Sequence, residues 1–372
     1  MPAPAVDRQR VLAHRAVAHD LVAPGTGDVV LGVGLQDYPP GRSARPALSL
    51  RTGPGRPRGD LALVHGVRGA LHLHRADDLA LLRGALHVAD GRDWSRQTMA
   101  TFGDELAGAG ITFAAALDEV AAAMATVTAD GTPRTKGEVS GAISSAVDHR
   151  LAPWCESCGA AHVHDVLFRL ATLHAGLTVQ VDPALPSRFR YAGSSDGTRA
   201  ATDESRAELV RRFLAAFGPA KPAHLAGWLG LRPAAARRWW DLVAGELRPV
   251  RVADAELWVH ADDLDRVVDA PPARGVRLLP AYDPLTELAD RELLAPDADR
   301  RRKIWQAVAN PGVIWADGEI VGVWRGRTRK DGLTVTLDPF EPMSPAQRQA
   351  LEPDLEVFRA AAGTTTATLA PA

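Results

Sequence analysis

Between Asp203 and His260 the chain runs through one order of elements that constrains the fold more than any other stretch. Asp203 to Phe217 carries its apolar residues at helical spacing, Lys221 to Leu229 starts a second helix after a Gly-Pro turn, and Pro233 to Leu247 forms a third. The third leads into two strand-like segments, Pro249-Val250-Arg251-Val252 and Glu256-Leu257-Trp258-Val259-His260. Three helices followed by a two-stranded wing make the winged form of a helix-turn-helix, whose usual use is to set its third helix in a DNA groove.

The pattern has echoes upstream. Leu73-His74-Arg75-Ala76-Asp77-Asp78-Leu79 is answered by Val259-His260-Ala261-Asp262-Asp263-Leu264, and both follow a strand-like run. The first follows Leu61-Ala62-Leu63-Val64 and Ala70-Leu71-His72-Leu73, a strand pair pinned by Gly66 and Gly69. Between the two echoes, Thr98 to Thr128 reads as two helices and Thr135 with Glu138 as a capping box. A helix over His164 to Ala175 then precedes two short strands, Leu177 to Val181 and Ser187 to Tyr191. Repetition of this kind predicts tandem units: three winged helices over residues 1–125, 126–200 and 201–270. The fold class is α+β, mainly α.

The remaining segment, 271–372, has a different character. Val313 to Trp324 holds Asp317-Gly318 between apolar runs, the signature of a type I′ hairpin. A second hairpin is expected at Arg325-Gly326-Arg327-Thr328-Arg329-Lys330-Asp331-Gly332, so the tail reads as a small β-unit with a basic loop. Upstream, Val6 to Val22 has amphipathic helical spacing, and Arg42 to Asp60 reads mostly as loop, with a short helix around Ala47 to Leu50.

Composition excludes some classes. With 46% hydrophobic and 24% charged residues the chain is built to fold. Its net charge of −2 argues against a uniformly basic nucleic-acid binder while leaving local basic faces open. No apolar run reaches the length of a membrane span and Met1 to Gln9 lacks the features of a secretory signal, so the expected location is cytoplasmic, with no membrane partner. The two cysteines form one Cys155-x-x-Cys158, a redox pair or half a zinc site, with His149, His162 and His164 nearby. The expectation here is two reduced thiols in a turn, no metal and no cofactor.

One stretch concentrates polar groups where an apolar run must leave the core: Gly32-Val33-Gly34-Leu35-Gln36-Asp37-Tyr38-Pro39-Pro40-Gly41. An amide, a carboxylate and a phenol follow one another there. Such a run is also what a polar turn looks like, with Asp37 capping backbone amides. Arg325, Arg327, Arg329 and Lys330 put four cations on one hairpin, suited to phosphates or to a solvated loop. Arg237 and Arg238 lie beside Trp239 and Trp240 on the third helix of the 201–270 unit; the tryptophans are expected in the core and the arginines outside, where they can face a groove. His72 and His74 alternate with leucines and share one strand face.

Across its length the chain resembles the winged-helix DNA glycosylases of the AlkZ and YcaQ type. The residues that carry the likeness are Gly34-Leu35-Gln36, Arg68-Gly69-Ala70-Leu71-His72-Leu73, Leu278-Leu279-Pro280-Ala281-Tyr282-Asp283, Asp290-Arg291 and Asp317 through Arg325. The resemblance implies three winged-helix units around a concave DNA channel, a small C-terminal β-barrel, and a partner that is double-stranded DNA containing alkylated bases, with no obligate protein partner. Arg68 and His72 would line the channel. The family's catalytic motif is a glutamine, an apolar residue, then a glutamine or aspartate; its first glutamine falls on Gln36. Asp37 then takes the apolar position and Tyr38 the second polar one.

The chemistry such a site performs would be hydrolysis of an N-glycosidic bond. Alkylation at a ring nitrogen already makes a purine a cationic leaving group, so what remains is to place water beside a sugar that becomes oxocarbenium-like. A glutamine amide can orient that water but cannot take its proton. A carboxylate can do both, which makes Asp37 the expected base, Gln36 the positioner and Tyr38 a hydrogen-bonder or stacking surface. The alternative from a different class is a non-catalytic winged-helix regulator that binds intact duplex.

Overall fold

The computed structural model describes residues 3–53, 59–87, 90–95, 102–182, 185–193, 202–288, 290–329 and 332–371. Two compact units emerge, each assembled from separated stretches of chain: one from Met1–Arg58, Arg211–His224 and Gly245–Ala372, the other from Gly59–Val210 and Leu225–Ala244.

In the first unit, Asp7 caps the helix Arg8–Ala18 by accepting from the Arg10 amide at 2.8 Å. Leu12, Ala13, Ala16 and Leu21 share a core with Leu279, Val313, Trp315 and Val323 from the end of the chain. Each such leucine or valine, fully withdrawn from water, contributes about 2 kcal/mol before the entropy of ordering is set against it. The core is formed against a five-stranded sheet in the order Val276–Leu279, Gly312–Ala316, Glu319–Arg329, Gly332–Pro339, Ala367–Pro371. The first four strands run antiparallel; the last pairs in parallel, Leu333 against Ala367 and Leu337 against Pro371. The sheet is open: among the described residues its two outer strands do not pair with each other, so the closed barrel expected at the C-terminus is not present.

The turn chemistry read from Asp317-Gly318 holds, with φ of 48° and 94° at the two residues, as a type I′ turn demands. Gly312 is required by contact: a Cβ there would lie 2.4 Å from the Trp324 ring, whose Nε1 donates to the Leu279 carbonyl at 2.8 Å. The same unit holds the antiparallel pair Leu247–Val252 and Ala255–His260, to which Ala5–Val6 adds a parallel third strand beyond the sequence expectation.

In the second unit, Leu61–His65 and Leu71–Arg75 form the expected antiparallel hairpin in the register Leu63 to Leu73. Helices Phe113–Val127, Lys136–Ser144 and Asp165–His174 precede Leu177–Asp182 and Leu185–Gly193, with Arg134–Thr135 added to the second strand. The capping box of Thr135 and Glu138 is made in both halves. In chain order, and divided between the two units, residues Asp203 to His260 have the expected succession: helices Asp203–Phe217, Pro222–Leu229 and Pro233–Asp241, then the strands Leu247–Val252 and Ala255–His260.

The internal echo is a structural one too. Ala76–Asp78 and Ala261–Asp263 are both single 3-10 turns that follow a strand and continue into helices, Leu79–Leu86 and Leu264–Val268. No single helix among the described residues is long and apolar enough to cross a membrane.

Candidate active site

The apolar run before Gln36 is a helix, Asp28–Val33, and only Leu35–Gln36 is extended. Gly34, at φ 89°, ends the helix and turns the chain. Leu35 is buried, Gln36 half-buried, Asp37 buried and Tyr38 exposed. The next helix, Ala44–Thr52, is longer than the single turn expected around Ala47 to Leu50.

Asp37 sits at the N-terminus of that helix with both oxygens committed. Oδ1 accepts from the amides of Arg42 at 3.2 Å, Ser43 at 3.0 Å and Ala44 at 3.1 Å, and Oδ2 from the Gly41 amide at 2.5 Å. A carboxylate is the natural acceptor there, because the first amides of a helix have no intrahelical partner and carry its positive end. Ser43 completes the arrangement: its Oγ donates to the Gln36 carbonyl at 2.9 Å and accepts from the Tyr38 amide at 2.9 Å. The backbone on either side of Asp37 is therefore clamped, and Gln36 is held at the edge of a fixed turn. Expected as the base, Asp37 instead spends its lone pairs on four backbone amides, the polar-turn arrangement.

Tyr38 meets Tyr282 edge to face, with ring centroids 5.4 Å apart at 81°. Tyr282 has a left-handed backbone, φ 62°. Its phenol is pushed up from the ordinary tyrosine range, mainly by burial and further by Tyr38, while an amide of Asn310 works in the other direction. Next in sequence, Asp283 is fully buried and pairs with the equally buried Arg51 at 2.7 Å, while Oδ1 also accepts the Leu285 amide at 3.0 Å. Arg51 in turn donates to the Ala47 carbonyl at 2.8 Å. Thus the segment Leu278 to Asp283 ties the sheet to the helix that Asp37 caps. Sequence reading missed Arg51 and Ser43. A signal existed: Ala44, Ala47, Leu48 and Arg51 fall at i, i+3, i+4 and i+7, which places an arginine on the buried stripe.

The expected basic hairpin forms, with its three described arginines on a strand and not in a loop. Glu319–Arg329 pairs residue by residue with Gly332–Pro339, Arg325 opposite Thr336, Arg327 opposite Thr334 and Arg329 opposite Gly332. Alternation along a strand puts the three arginines on one face. All three are exposed, their cross-strand partners carry no charge, and none forms an ion pair among the described residues. Arg325 is restrained by the Gln306 side chain at 2.8 Å and the Ala309 carbonyl at 3.1 Å. Lys330 lies outside the described residues. A groove in this same unit is lined, among others, by Tyr38, Arg42, Pro280, Asn310, Arg325 and Thr328. It joins the end of the polar stretch to the start of the arginine face.

The other expected contacts fall in the second unit. Arg237 and Arg238 are exposed on their helix, bonded to Asp241 at 2.8 Å and Asp93 at 2.7 Å, while Trp239 and Trp240 are buried. Arg68, at φ 57°, donates to the Trp228 carbonyl. His72 is 0% exposed, with Nδ1 on the Ala70 carbonyl at 2.9 Å, so the expected channel-lining position is a core position.

A mixed α+β protein that holds an amide on a clamped turn, beside a groove that leads to an unneutralised arginine face, has the equipment of a nucleic-acid enzyme. The fold is that of a solved structure, the Streptomyces sahachiroi DNA glycosylase AlkZ, with a TM-score of 0.73 over 99% of this chain and 100% of that one; at 19% identity the likeness is one of fold. An "Interstrand DNA cross-link repair glycosylase" of Streptomyces sahachiroi is 29% identical over 142 residues, which span 36% of this chain and 37% of that relative's length. The family model described as DNA glycosylase AlkZ-like matches residues 30–361, and the chain belongs to that family.

Proposed function

We propose that the protein is a monofunctional DNA glycosylase that hydrolyses the N-glycosidic bond of alkylated purines in duplex DNA, N7-alkylguanine and bulky or cross-linked adducts among them. Its service to the cell would be DNA repair or self-resistance to a DNA-alkylating natural product. In this reading Gln36 orients the attacking water through its amide, and the proton released when that water adds to the oxocarbenium-like sugar carbon passes to solvent, because an amide cannot accept it. Asp37 and Ser43 hold Gln36 in place and do not touch the reacting atoms. Tyr38, exposed and braced by Tyr282, offers a face for stacking or a hydroxyl for hydrogen bonding. Arg325, Arg327 and Arg329 bind phosphates along the ribbon, and Arg237 and Arg238 are further contacts on their exposed helix face. The helix-helix-helix-strand-strand runs act as winged helices that engage the duplex.

The observation that carries the reading is the clamp on Gln36. Six hydrogen bonds, four accepted by one carboxylate and two made by one hydroxyl, fix the backbone from the Gln36 carbonyl to the Tyr38 amide. Such rigidity is costly to build for a surface turn and is what water positioning requires. Leaving-group departure needs no acid from the protein when the base is already cationic.

The test is release of free base from duplex DNA carrying N7-methylguanine or a bulky N7 adduct, by wild type and by Gln36→Ala. Expected are abasic product from wild type and a strongly slowed variant. No abasic product with any of these adducts, together with tight sequence-specific binding to intact duplex, would identify a regulator instead.

A further inference from the structure

The Cys-x-x-Cys has no part in the clamp or the groove, yet its geometry is that of a ligand-bearing knuckle. Trp154–Cys155 and Ala160–Ala161 form a two-stranded hairpin in the register Cys155 to Ala160. At its tip the amides of Cys158 and Gly159 both donate to the Cys155 carbonyl, at 3.2 and 2.9 Å, and Gly159 takes the left-handed φ of 61° that this turn needs. The hairpin directs two sulfurs the same way. The chain then returns through His162, whose amide donates to the Pro153 carbonyl at 3.2 Å. One ligand atom from each of Cys155, Cys158 and His162 lies within 4.8 Å of the other two.

We propose that Cys155, Cys158 and His162 bind a zinc ion that staples this hairpin. Tetrahedral zinc with bonds of about 2.3 Å to sulfur and about 2.0 Å to nitrogen needs its ligand atoms about 3.5–3.8 Å apart, a contraction that surface side chains make by small rotations. Two thiolates and one imidazole are a soft donor set that selects zinc over magnesium or calcium. The histidine is prepared for the role. Its Nδ1 faces the Val163 carbonyl at 2.9 Å, the outer-shell contact that leaves Nε2 as the ligand nitrogen, and Nε2 is sunk from solvent with no hydrogen-bond partner.

The neighbouring histidines do not complete the set. His164 accepts from the Val166 amide at 3.3 Å and stacks on Phe102 at 4.4 Å, and the His149 side chain is 92% exposed beside Asp148. The fourth position is therefore left to water. With Cys155 at the end of the first strand, Cys158 in the turn and His162 between the second strand and helix Asp165–His174, the ion fixes the hairpin that presents the exposed Trp154. This inference is independent of the catalytic reading.

The experiment is metal analysis of the full chain, purified under reducing conditions without chelator from zinc-supplemented cells, with cobalt titration of the chelator-stripped protein. Expected are about one zinc per chain and a thiolate-to-cobalt charge-transfer band with tetrahedral ligand-field absorption. Cys155→Ser with Cys158→Ser loses the metal, and His162→Ala weakens binding by about tenfold or more. Absence of zinc and of the cobalt band in wild type overturns the proposal. So does zinc retained at full stoichiometry in the double variant, or a Cys155–Cys158 disulfide in protein kept reduced. Should the double variant fail to fold, the wild-type cobalt spectrum alone decides.

Discussion

Asp37 and Gln36 are adjacent, and the proposed reading gives them effects of opposite kind. Replacing Asp37 by alanine removes the acceptor for four amides; those of Ser43 and Ala44 belong to buried residues, those of Gly41 and Arg42 to the more exposed edge. Each buried amide left unsatisfied costs about 1–3 kcal/mol, and the exposed pair recover water. The sum is about 3–4 kcal/mol, at the upper end because a charged cap at a helix N-terminus is also lost. For a cooperative unit of this size that lowers Tm by roughly 10 °C. Asp37→Asn keeps one carbonyl oxygen for the Oδ1 cluster and costs about half as much. By contrast Gln36→Ala removes a half-buried side chain whose backbone clamp is untouched, so Tm moves by about 1 °C or less while single-turnover base release falls about 10²-fold. Thermal unfolding followed by circular dichroism, beside single-turnover release of N7-methylguanine, separates the two. If Asp37→Asn left Tm unchanged and slowed release by about 10³-fold, the size expected for a lost general base, the carboxylate would be acting on water and the assignment would fail.

Arg327→Ala and Arg329→Ala should each reduce the slope of log binding constant against log salt by about 1, with a smaller effect from Arg325→Ala because Gln306 and Ala309 already hold that guanidinium; unchanged slopes would remove the ribbon from the interface. Arg51→Ala or Asp283→Asn alone should cost about 3–5 kcal/mol by stranding a buried charge, and replacing both with leucine should cost clearly less than the sum in a denaturant double-mutant cycle. Acid should destabilise the fold. Burial first of all holds His19 and His174 down to about 3 and His65 and His224 to about 4, so below about pH 6.5 the unfolded chain binds protons that the folded one refuses. Unfolding free energy then falls by up to about 1.4 kcal/mol per pH unit for each histidine. Asp354 acts in the opposite sense: burial raises it to about 6, and its contribution is present at low pH and lost as pH rises through that value, which offsets one of the four. Urea unfolding at about pH 7 and about pH 5.5 measures the slope, and His19→Gln should flatten it. Finally, base release should be confined to cationic lesions; efficient excision of a neutral lesion such as hypoxanthine would show an acid group that the proposed site does not contain.

Most of the local structure was legible because it is set by nearest-neighbour rules. The hairpin at Asp317-Gly318 follows from two residues that tolerate positive φ, the capping box of Thr135 and Glu138 from one hydrogen-bond exchange, and the helices from Asp203 to Asp241 from apolar spacing. What was misread depends on partners distant in sequence. An open sheet and a closed barrel differ only in whether Val276–Leu279 meets Ala367–Pro371, a choice no local pattern records. Arg51 became part of the core only because Asp283 lies 232 positions away in the chain to neutralise it. Asp37 is the instructive intermediate case. Its residue type fits both a base and a cap, and the deciding fact, four successive amides from Gly41 to Ala44 turned toward it where the next helix starts, was hidden by reading Arg42 to Asp60 as loop.

That outcome bears on how the proposed chemistry selects its substrate. A carboxylate free to face the sugar would stabilise positive charge there whatever base was attached, and would lower the barrier for undamaged nucleotides together with damaged ones. With Asp37 turned toward the helix N-terminus and only a neutral amide at the exit of the turn, the proposed site would supply orientation but little charge stabilisation. Departure of the base must then come from the base itself. An N7-alkylated purine is cationic and leaves readily; an intact guanine is neutral and would need a proton that no group of the clamp offers. Discrimination therefore does not require a pocket that recognises one adduct by shape. In this proposal it follows from what the turn withholds, and a groove open enough to take bulky lesions would cost nothing in fidelity.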